Sequence, residues 1–574
     1  MSDEKGITVD VLVVGSGASG LTAAITAKKA GLDVLVTEKE SVFGGASATS
    51  GGGLWVPCNH HARAYEDSAQ LAADTHEKAR AYVAEEAGNC LQPERLDVYL
   101  AAAPEMIRFM EDETHVRFYA LPYPDYRSES SFSGTTRTLC PVNYDARKLG
   151  KNAGALKRPL KQTQFLGLPI ALGPELVHFL RANRSLPSLA YLLKSLAISF
   201  SQRLRYGEGQ LLVAGRALVA RLGHTLFDLG VPLWLSSPVQ SLVVEDGRVA
   251  GARIDTAEGV VKVHARLGVV LACGGYPKDS QRRSETFPKP ARANHKNLAP
   301  MSNTGDGIRL AESAGGQFNG SVVQPAAWMP VSIHPTRSEP EGVCQHLVDR
   351  NKPGFIMVLP NGRRFANEAL SYQALVAEML DACQDQDEAK AWLIGDAKAF
   401  RRWGMGLARP FPVPYGHHIR TGYLFRGRSI ADLAQKIGVP LDALAATIDR
   451  FNADARKGFD SEFGRGQRSY ENCLGDPDYP GNPNLGPLER APFFAVQIKA
   501  GLIGTFAGLR TDSSARVLNL DGQPVAGLYA VGNDQASVFS GSYPGAGATL
   551  GPGMTFGYIA GRHLAAQQTN LSSG

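Results

Sequence analysis

The sequence predicts an α/β fold with an α+β cap, in which a Rossmann-like cofactor domain is interrupted by an inserted catalytic domain. Three observations carry this. An apolar strand runs directly into a glycine fingerprint near the N-terminus, strand–glycine–helix texture returns near the C-terminus, and the stretch between them turns Pro-, aromatic- and Arg-rich. At 574 residues the chain is also too long for one core. The expected boundaries are 1–321 for the first part of the cofactor domain, including a basic apolar insertion at about 160–207. The catalytic or cap domain follows at 322–499, and the second part of the cofactor domain at 500–574.

The opening unit is read in order. Val9 to Val14 is a buried parallel strand, followed by Gly15-Ser16-Gly17-Ala18-Ser19-Gly20 and an amphipathic helix from about Leu21 to Ala30. Gly31 ends the helix, and a second strand, Asp33 to Thr37, leads to Glu38 and Lys39. Gly15 makes the tight turn, Gly17 lets the backbone approach a pyrophosphate, and Gly20 allows close helix–strand packing. The unpaired N–H groups at the helix start receive phosphate charge, and Glu38 can accept from a ribose. Phe43 to Gly53 then strings together Gly44, Gly45, Ala46, Ser47, Ser50, Gly51 and Gly52. An extended segment of small residues suits a cofactor that continues past adenosine, which favours FAD over NAD.

Farther along, Leu91 to Glu111 and Gly209 to Leu222 read as helices. Val231 to Leu235, Val239 to Val244, Val249 to Ile254 and Leu267 to Ala272 read as strands, with Asp246-Gly247 as a turn. Asn303 to Gly307 is expected to cap a helix running to Ala314. Near the end, a strand reaching Gly532-Asn533-Asp534 precedes a final helix, Pro552 to Ala566.

Composition narrows the function classes. A net charge of +5 with no long Lys/Arg tract gives no reason to expect nucleic acid. Seven scattered cysteines without a CxxC pair argue against zinc, iron–sulfur clusters and disulfides, so no metal is expected. An early first strand and the lack of a spanning apolar run predict a cytoplasmic protein without a signal peptide.

Together these pieces resemble the succinate dehydrogenase and fumarate reductase flavoprotein family, and within it the 3-ketosteroid Δ1-dehydrogenase branch. The residues that carry the resemblance are Val14 to Gly20, Phe43 to Gly53, Leu271-Ala272-Cys273-Gly274-Gly275 and Thr304-Gly305-Asp306-Gly307. Gly362-Arg363-Arg364-Phe365-Ala366-Asn367-Glu368 and Tyr543 to Pro552 complete the set. The resemblance implies further cofactor contacts at Val239, Ala272, Gly274, Gly305, Asp306, Gly532, Asn533, Asp534, Gly547, Thr549 and Leu550. Ser47-Ala48-Thr49 lacks the histidine of the covalent flavin members, which implies non-covalent FAD. Ala548-Thr549-Leu550-Gly551 lacks the arginine with which fumarate reductases clamp a dicarboxylate.

In the ketosteroid branch, Tyr-Pro-Gly-x-Gly offers a phenol and a main-chain N–H to the 3-keto oxygen, here Tyr543 and Gly547. The branch also implies Tyr372, after Asn367-Glu368, as the base at C2, and Tyr126, in Tyr123-Pro124-Asp125-Tyr126, as its hydrogen-bonding partner. The implied reaction is 1,2-desaturation of a 3-ketosteroid, with the C1 hydride going to FAD N5 and electrons leaving to a quinone or another acceptor. A substrate retaining its sterol side chain is one version. Alternatives are a fumarate-reductase-like enoate reductase, a 3-ketosteroid Δ4-(5α)-dehydrogenase and a non-catalytic FAD-binding scaffold.

Leu176 to Gly207 is rich in Leu, Ile and Phe, carries Arg181, Arg184, Lys194, Arg203 and Arg205, and contains no Asp or Glu. That pattern suits an interfacial helix on the inner face of the cell membrane, through about 165–206. A helical pair packed against the core or an oligomer partner stays open beside it.

Overall fold

The computed structural model describes residues 6–170, 174–292, 296–334 and 342–572. Strand Gly6–Val14 lies between Val34–Thr37 and Gly259–Leu271 and is parallel to both. Pro524–Ala530 joins the same sheet, also parallel, beside Gly259–Leu271. The C-terminal part of the chain thus returns to the sheet the N-terminal part begins. Val11, Leu12 and Val13 are fully buried, as a strand covered by helices on both faces requires.

Helix Ala18–Lys29 buries Leu21, Ala24 and Ile25 on this sheet and packs along the final helix, Leu550–Ser572. The approach is close enough to need glycine: a Cβ on Gly557 would stand 2.5 Å from the Ser19 carbonyl oxygen. Sheet, fingerprint and last helix are therefore one packed unit.

A second, antiparallel sheet carries Val343–Gln345, Ala326–Ile333, Phe493–Thr505, Lys390–Gly395 and Phe355–Val358 in that order, with Phe425–Gly427 paired to Phe493–Thr505. The expected boundary at 499/500 falls inside Phe493–Thr505. Its pairing with Ala326–Ile333 runs from Val331↔Lys499 to Ala326↔Thr505, so the sheet continues past the texture change.

Two expected helices differ. The one expected at 209–222 begins at Ala214 and runs to Asp228, because Leu211–Leu212 pairs as a strand with Tyr144–Asp145. The helix after Asn303 spans Asp306–Ser313 with Gly305 at its N-cap, and no side chain caps it. The Asn303 side chain donates instead to the Gly274 carbonyl, 3.1 Å away. Residues 174–206 form two helices, Pro174–Arg181 and Leu186–Tyr206. Among the described residues no helix is long and apolar enough to cross a membrane.

Candidate active site

The fingerprint builds a cradle at the end of strand Gly6–Val14. Gly15 has φ +111°, and a Cβ there would lie 2.3 Å from the Ala272 carbonyl oxygen, so only glycine fits. Gly17 caps helix Ala18–Lys29 without a side chain of its own, and the Ala18 N–H meets Ser47 Oγ at 3.0 Å. Glu38 is held at the end of its strand by the Ser16 N–H (3.1 Å) and Ser16 Oγ (2.6 Å). Lys39 crosses to Thr304 Oγ1 (2.9 Å) and to Asp306. Bare N–H groups, an acid at the next strand end and glycines where backbones nearly touch fit a dinucleotide pyrophosphate and ribose.

Most of the predicted cofactor residues line one cavity, including Gly17, Glu38, Ser47, Val239, Gly532 and Thr549. Ala18, Gly20, Gly44, Gly305 and Asp534 stand behind its wall. Asp534 is fully buried and accepts the N–H groups of Cys273 (2.5 Å) and Gly275 (2.8 Å). It therefore shapes the Gly274-Gly275 turn instead of facing the cavity.

The same cavity, about 1730 Å³ in all, is also lined by Tyr126, Tyr372, Tyr543 and Gly547. The three tyrosines come from distant segments and meet as a cluster. Tyr126 donates to the Tyr372 hydroxyl over 2.8 Å. The Tyr543 ring lies 5.4 Å from each of the other two, stacked on Tyr126 and edge-on to Tyr372.

Each is positioned by its own element. Tyr372 is the first residue of helix Tyr372–Ala382, capped by Ser371. The turn before it is pinned by Glu368, which takes the Met357 N–H and pairs with Arg364 (2.7 Å) and Arg465 (3.1 Å). Tyr126 is tied to the Tyr543 loop by its N–H, which donates to the Pro544 carbonyl at 3.1 Å. The Tyr82 hydroxyl donates to that carbonyl at 2.8 Å. Gly547 has φ +99°, and a Cβ there would meet the Gly53–Leu54 backbone at 2.5 Å.

Burial dominates the electrostatics of this cluster. It pushes the Tyr543 phenol up to about 12 and the Tyr126 and Tyr372 phenols well above their ordinary range. The Tyr126 hydrogen bond pulls Tyr372 back down, but burial outweighs it. Burial and the Tyr126 hydrogen bond thus act on Tyr372 in opposite directions.

Sequence reasoning missed the support behind Tyr126. Asp125 accepts from Trp55 Nε1 (2.8 Å), the Gly134 N–H (2.8 Å) and Arg137 (2.7 Å), and Arg137 also pairs with Asp74 (2.7 Å). Tyr470 was missed as well; its ring lies 5.0 Å from Tyr126. No local pattern marks either, because both depend on segments far apart in sequence.

The outer wall of the cavity comes from the helix pair. Leu176, Phe179, Leu180, Leu192 and Leu196 line it. On the other side of the pair Leu186 is 81% exposed, Leu204 76% and Phe200 65%. Arg181 and Arg184 pair with the half-exposed Asp478, at 2.7 and 3.1 Å. The pair thus packs on the core with one face and leaves apolar side chains bare on another.

The family described as "FAD binding domain" matches residues 10–550 of the chain. The chain belongs to this FAD-binding flavoprotein family. It is 36% identical over 570 residues to a 4-oxocyclohex-2-ene-1-carboxylate 5-dehydrogenase of Sinomonas cyclohexanicum, covering 98% of this chain and 95% of that one. It is 34% identical over 572 residues to a 3-oxosteroid 1-dehydrogenase of Mycobacterium tuberculosis, covering 97% and 98%. The structure of a 3-ketosteroid Δ1-dehydrogenase from Sterolibacterium denitrificans, in complex with 1,4-androstadiene-3,17-dione, superimposes with a TM-score of 0.90. That pair is 34% identical and covers 98% of this chain and 100% of the other. This flavoprotein is accordingly an FAD-dependent oxidoreductase.

Proposed function

We propose that this flavoprotein desaturates 3-ketosteroids between C1 and C2. The observation that carries the reading is the Tyr126–Tyr372–Tyr543 cluster beside Gly547, on the cavity that the FAD cradle opens into. Removal of a C2 proton requires charge to move onto the ketone oxygen. The Tyr543 hydroxyl and the Gly547 N–H are the two donors that stabilise it there, as an oxyanion hole does. Burial keeps the Tyr543 phenol protonated, which suits a donor. Tyr372 removes the C2 proton and Tyr126 donates to its oxygen. FAD, bound non-covalently in the cradle, would supply the hydride acceptor for C1.

The size of the cavity supports two ligands, since one small molecule usually occupies about 300–1,000 Å³. Its apolar outer wall suits a steroid, including one that keeps a side chain. The bare face of helix Leu186–Tyr206 supports peripheral contact with the inner face of the cell membrane, where such a substrate dissolves. The electron acceptor is a quinone or another oxidant.

The test is anaerobic addition of ring ketones to the purified, FAD-loaded protein, then turnover with a dye acceptor. Flavin bleaching by a 3-keto-4-ene steroid is expected. Bleaching by 4-oxocyclohex-2-ene-1-carboxylate and not by steroid would assign a small anionic substrate, as the name of the Sinomonas relative suggests. Oxidation of reduced dye by fumarate would assign an enoate reductase. For the helix pair, replacing Leu186, Phe200 and Leu204 by Ser should release the protein from anionic liposomes while steroid turnover in detergent persists. Unchanged liposome binding would remove the membrane contact from the reading.

A further inference from the structure

A base that burial holds protonated needs a nearby cation, and the cluster has one on its far side. Arg350 is fully buried. Its Nε donates to the His346 carbonyl at 3.0 Å, and Nη1 donates to the carbonyls of Leu370 (2.7 Å) and Glu368. Arg364 and Arg465, equally buried, each pair with the Glu368 carboxylate. Arg350 has no carboxylate within ion-pair distance among the described residues. Its neighbour Asp349 turns to His346 Nδ1, 2.7 Å away, and to the Gly406 N–H, 2.9 Å away.

The guanidinium lies near enough to the Tyr470 hydroxyl to interact with it, and its remaining nitrogen, Nη2, takes no part in the bonds above. Both atoms are buried, and neither closes a hydrogen bond of full geometry. The Tyr470 ring packs edge-on against Tyr126 (5.0 Å) and Tyr123 (5.7 Å). Arg350, Tyr470, Tyr126 and Tyr372 therefore form a continuous run from a fixed charge to the cavity.

An arginine does not shed its proton in a protein, and burying its charge without an anion is costly. Such a residue makes physical sense where an anion forms transiently. The titratable groups around Tyr372 are Tyr126, Tyr543, Tyr470 and Tyr123. Around Tyr470 they are Tyr123, Tyr126, Tyr372, Tyr543, Cys473 and Arg350; Cys473 adds Lys352, and Arg350 adds Asp349. Lys352 is held by the carbonyls of Leu474 and Gly475, which leaves Arg350 as the cation that meets a phenol of the cluster.

We propose that Arg350 and Tyr470 are a positioning pair, in which the buried guanidinium, relayed by the Tyr470 hydroxyl, balances the phenolate that Tyr372 must form to take the C2 proton. This rests on Tyr372 being the base. The Tyr372 phenol first gives up its proton to solvent water, and the phenolate so formed is the charge that Arg350 offsets; the C2 proton then moves to the Tyr372 oxygen while the C–H electron pair shifts towards the ketone oxygen. A unit charge acting across roughly 10 Å of protein interior changes an ionisation constant about tenfold.

The experiment measures C2 hydrogen–deuterium exchange and kcat/KM for a 3-keto-4-ene steroid across pH, using FAD-loaded wild type, Tyr470→Phe, Arg350→Met and Arg350→Lys. In Tyr470→Phe the limb on which activity rises with pH should move up by about one pH unit. Exchange at pH 7 should fall about tenfold and recover at higher pH, while KM and flavin content stay as in wild type. Arg350→Met should shift the limb farther, and Arg350→Lys should restore part of it. If Arg350→Met does not fold, Tyr470→Phe carries the test, because it removes one oxygen and no backbone contact. A limb that stays in place in Tyr470→Phe overturns the proposal, whether or not the rate falls. Tyr372→Phe, run in parallel, separates the two ideas. Exchange surviving there removes the base assignment, whereas exchange lost there with an unmoved limb in Tyr470→Phe removes only the positioning pair.

Discussion

The FAD cradle and the tyrosine cluster share one cavity but are specified in opposite ways. The cradle is local: Gly15, Gly17, Glu38 and Ser47 lie within a few dozen residues of each other, the glycines working through backbone geometry and Glu38 and Ser47 through side chains that accept nearby N–H groups. The cluster is assembled from Tyr126, Tyr372, Tyr470 and Tyr543, whose contacts exist only once both sheets are packed. A cradle residue therefore fails by not fitting, while a cluster residue fails by losing one hydroxyl from a fold that survives. The difference separates cofactor binding from turnover, and substitutions can test it.

The largest effect belongs to the cradle. Gly15→Ala puts a Cβ 2.3 Å from the Ala272 oxygen at a backbone angle that side chains rarely adopt, so FAD binding and all activity should be lost together. Flavin absorbance after purification reads this directly. A variant that retained FAD at full occupancy would show that the strand-end contact yields, and the contrast with the cluster would weaken.

In the cluster, Tyr543→Phe should lower kcat by about 10²–10³ while FAD stays bound, the usual cost of removing one oxyanion donor. Loss of flavin from this variant would place Tyr543 with the cradle instead. The pH dependence sharpens the point. Burial raises the Tyr543 phenol to about 12, so the neutral, donating form persists as pH rises, and no loss of activity below about pH 11 should trace to this residue. A fall in wild-type kcat near pH 10 that Tyr543→Phe abolishes would contradict the donor role.

This contrast also explains how much the sequence revealed. Fingerprint, strand order at the N-terminus and the return of the chain to the same sheet follow from periodicity and glycine spacing, which act over a few residues. The end of the inserted sheet at Thr505 did not, because strand pairing overrides the change in composition at 499. Tyr372 and Tyr543 were reachable through the motifs around them. Asp125, Arg137, Arg350 and Tyr470 were not, since a buried ion pair or an unpaired buried charge is defined by what surrounds it. Asp534 shows the converse: its motif suggests a cofactor contact, yet its carboxylate is spent on two backbone N–H groups.

The smallest effect tests whether the cluster works as a unit. Tyr126 donates to Tyr372 and contributes no atom to the cradle, so Tyr126→Phe removes only that donor. A hydrogen bond to a charged partner is worth about 1.5–3 kcal/mol, roughly tenfold to a hundredfold in the population of the Tyr372 phenolate. Steroid turnover at pH 7 should fall by that factor, with flavin content and thermal stability unchanged. The ring stays, and it keeps its stacking on Tyr543 and its edge contact with Tyr470. A drop as large as that of Tyr543→Phe would mean that Tyr126 itself meets the substrate. No drop at all would mean that the Tyr126 hydroxyl does not support Tyr372, and the cluster would then be less cooperative than its packing suggests.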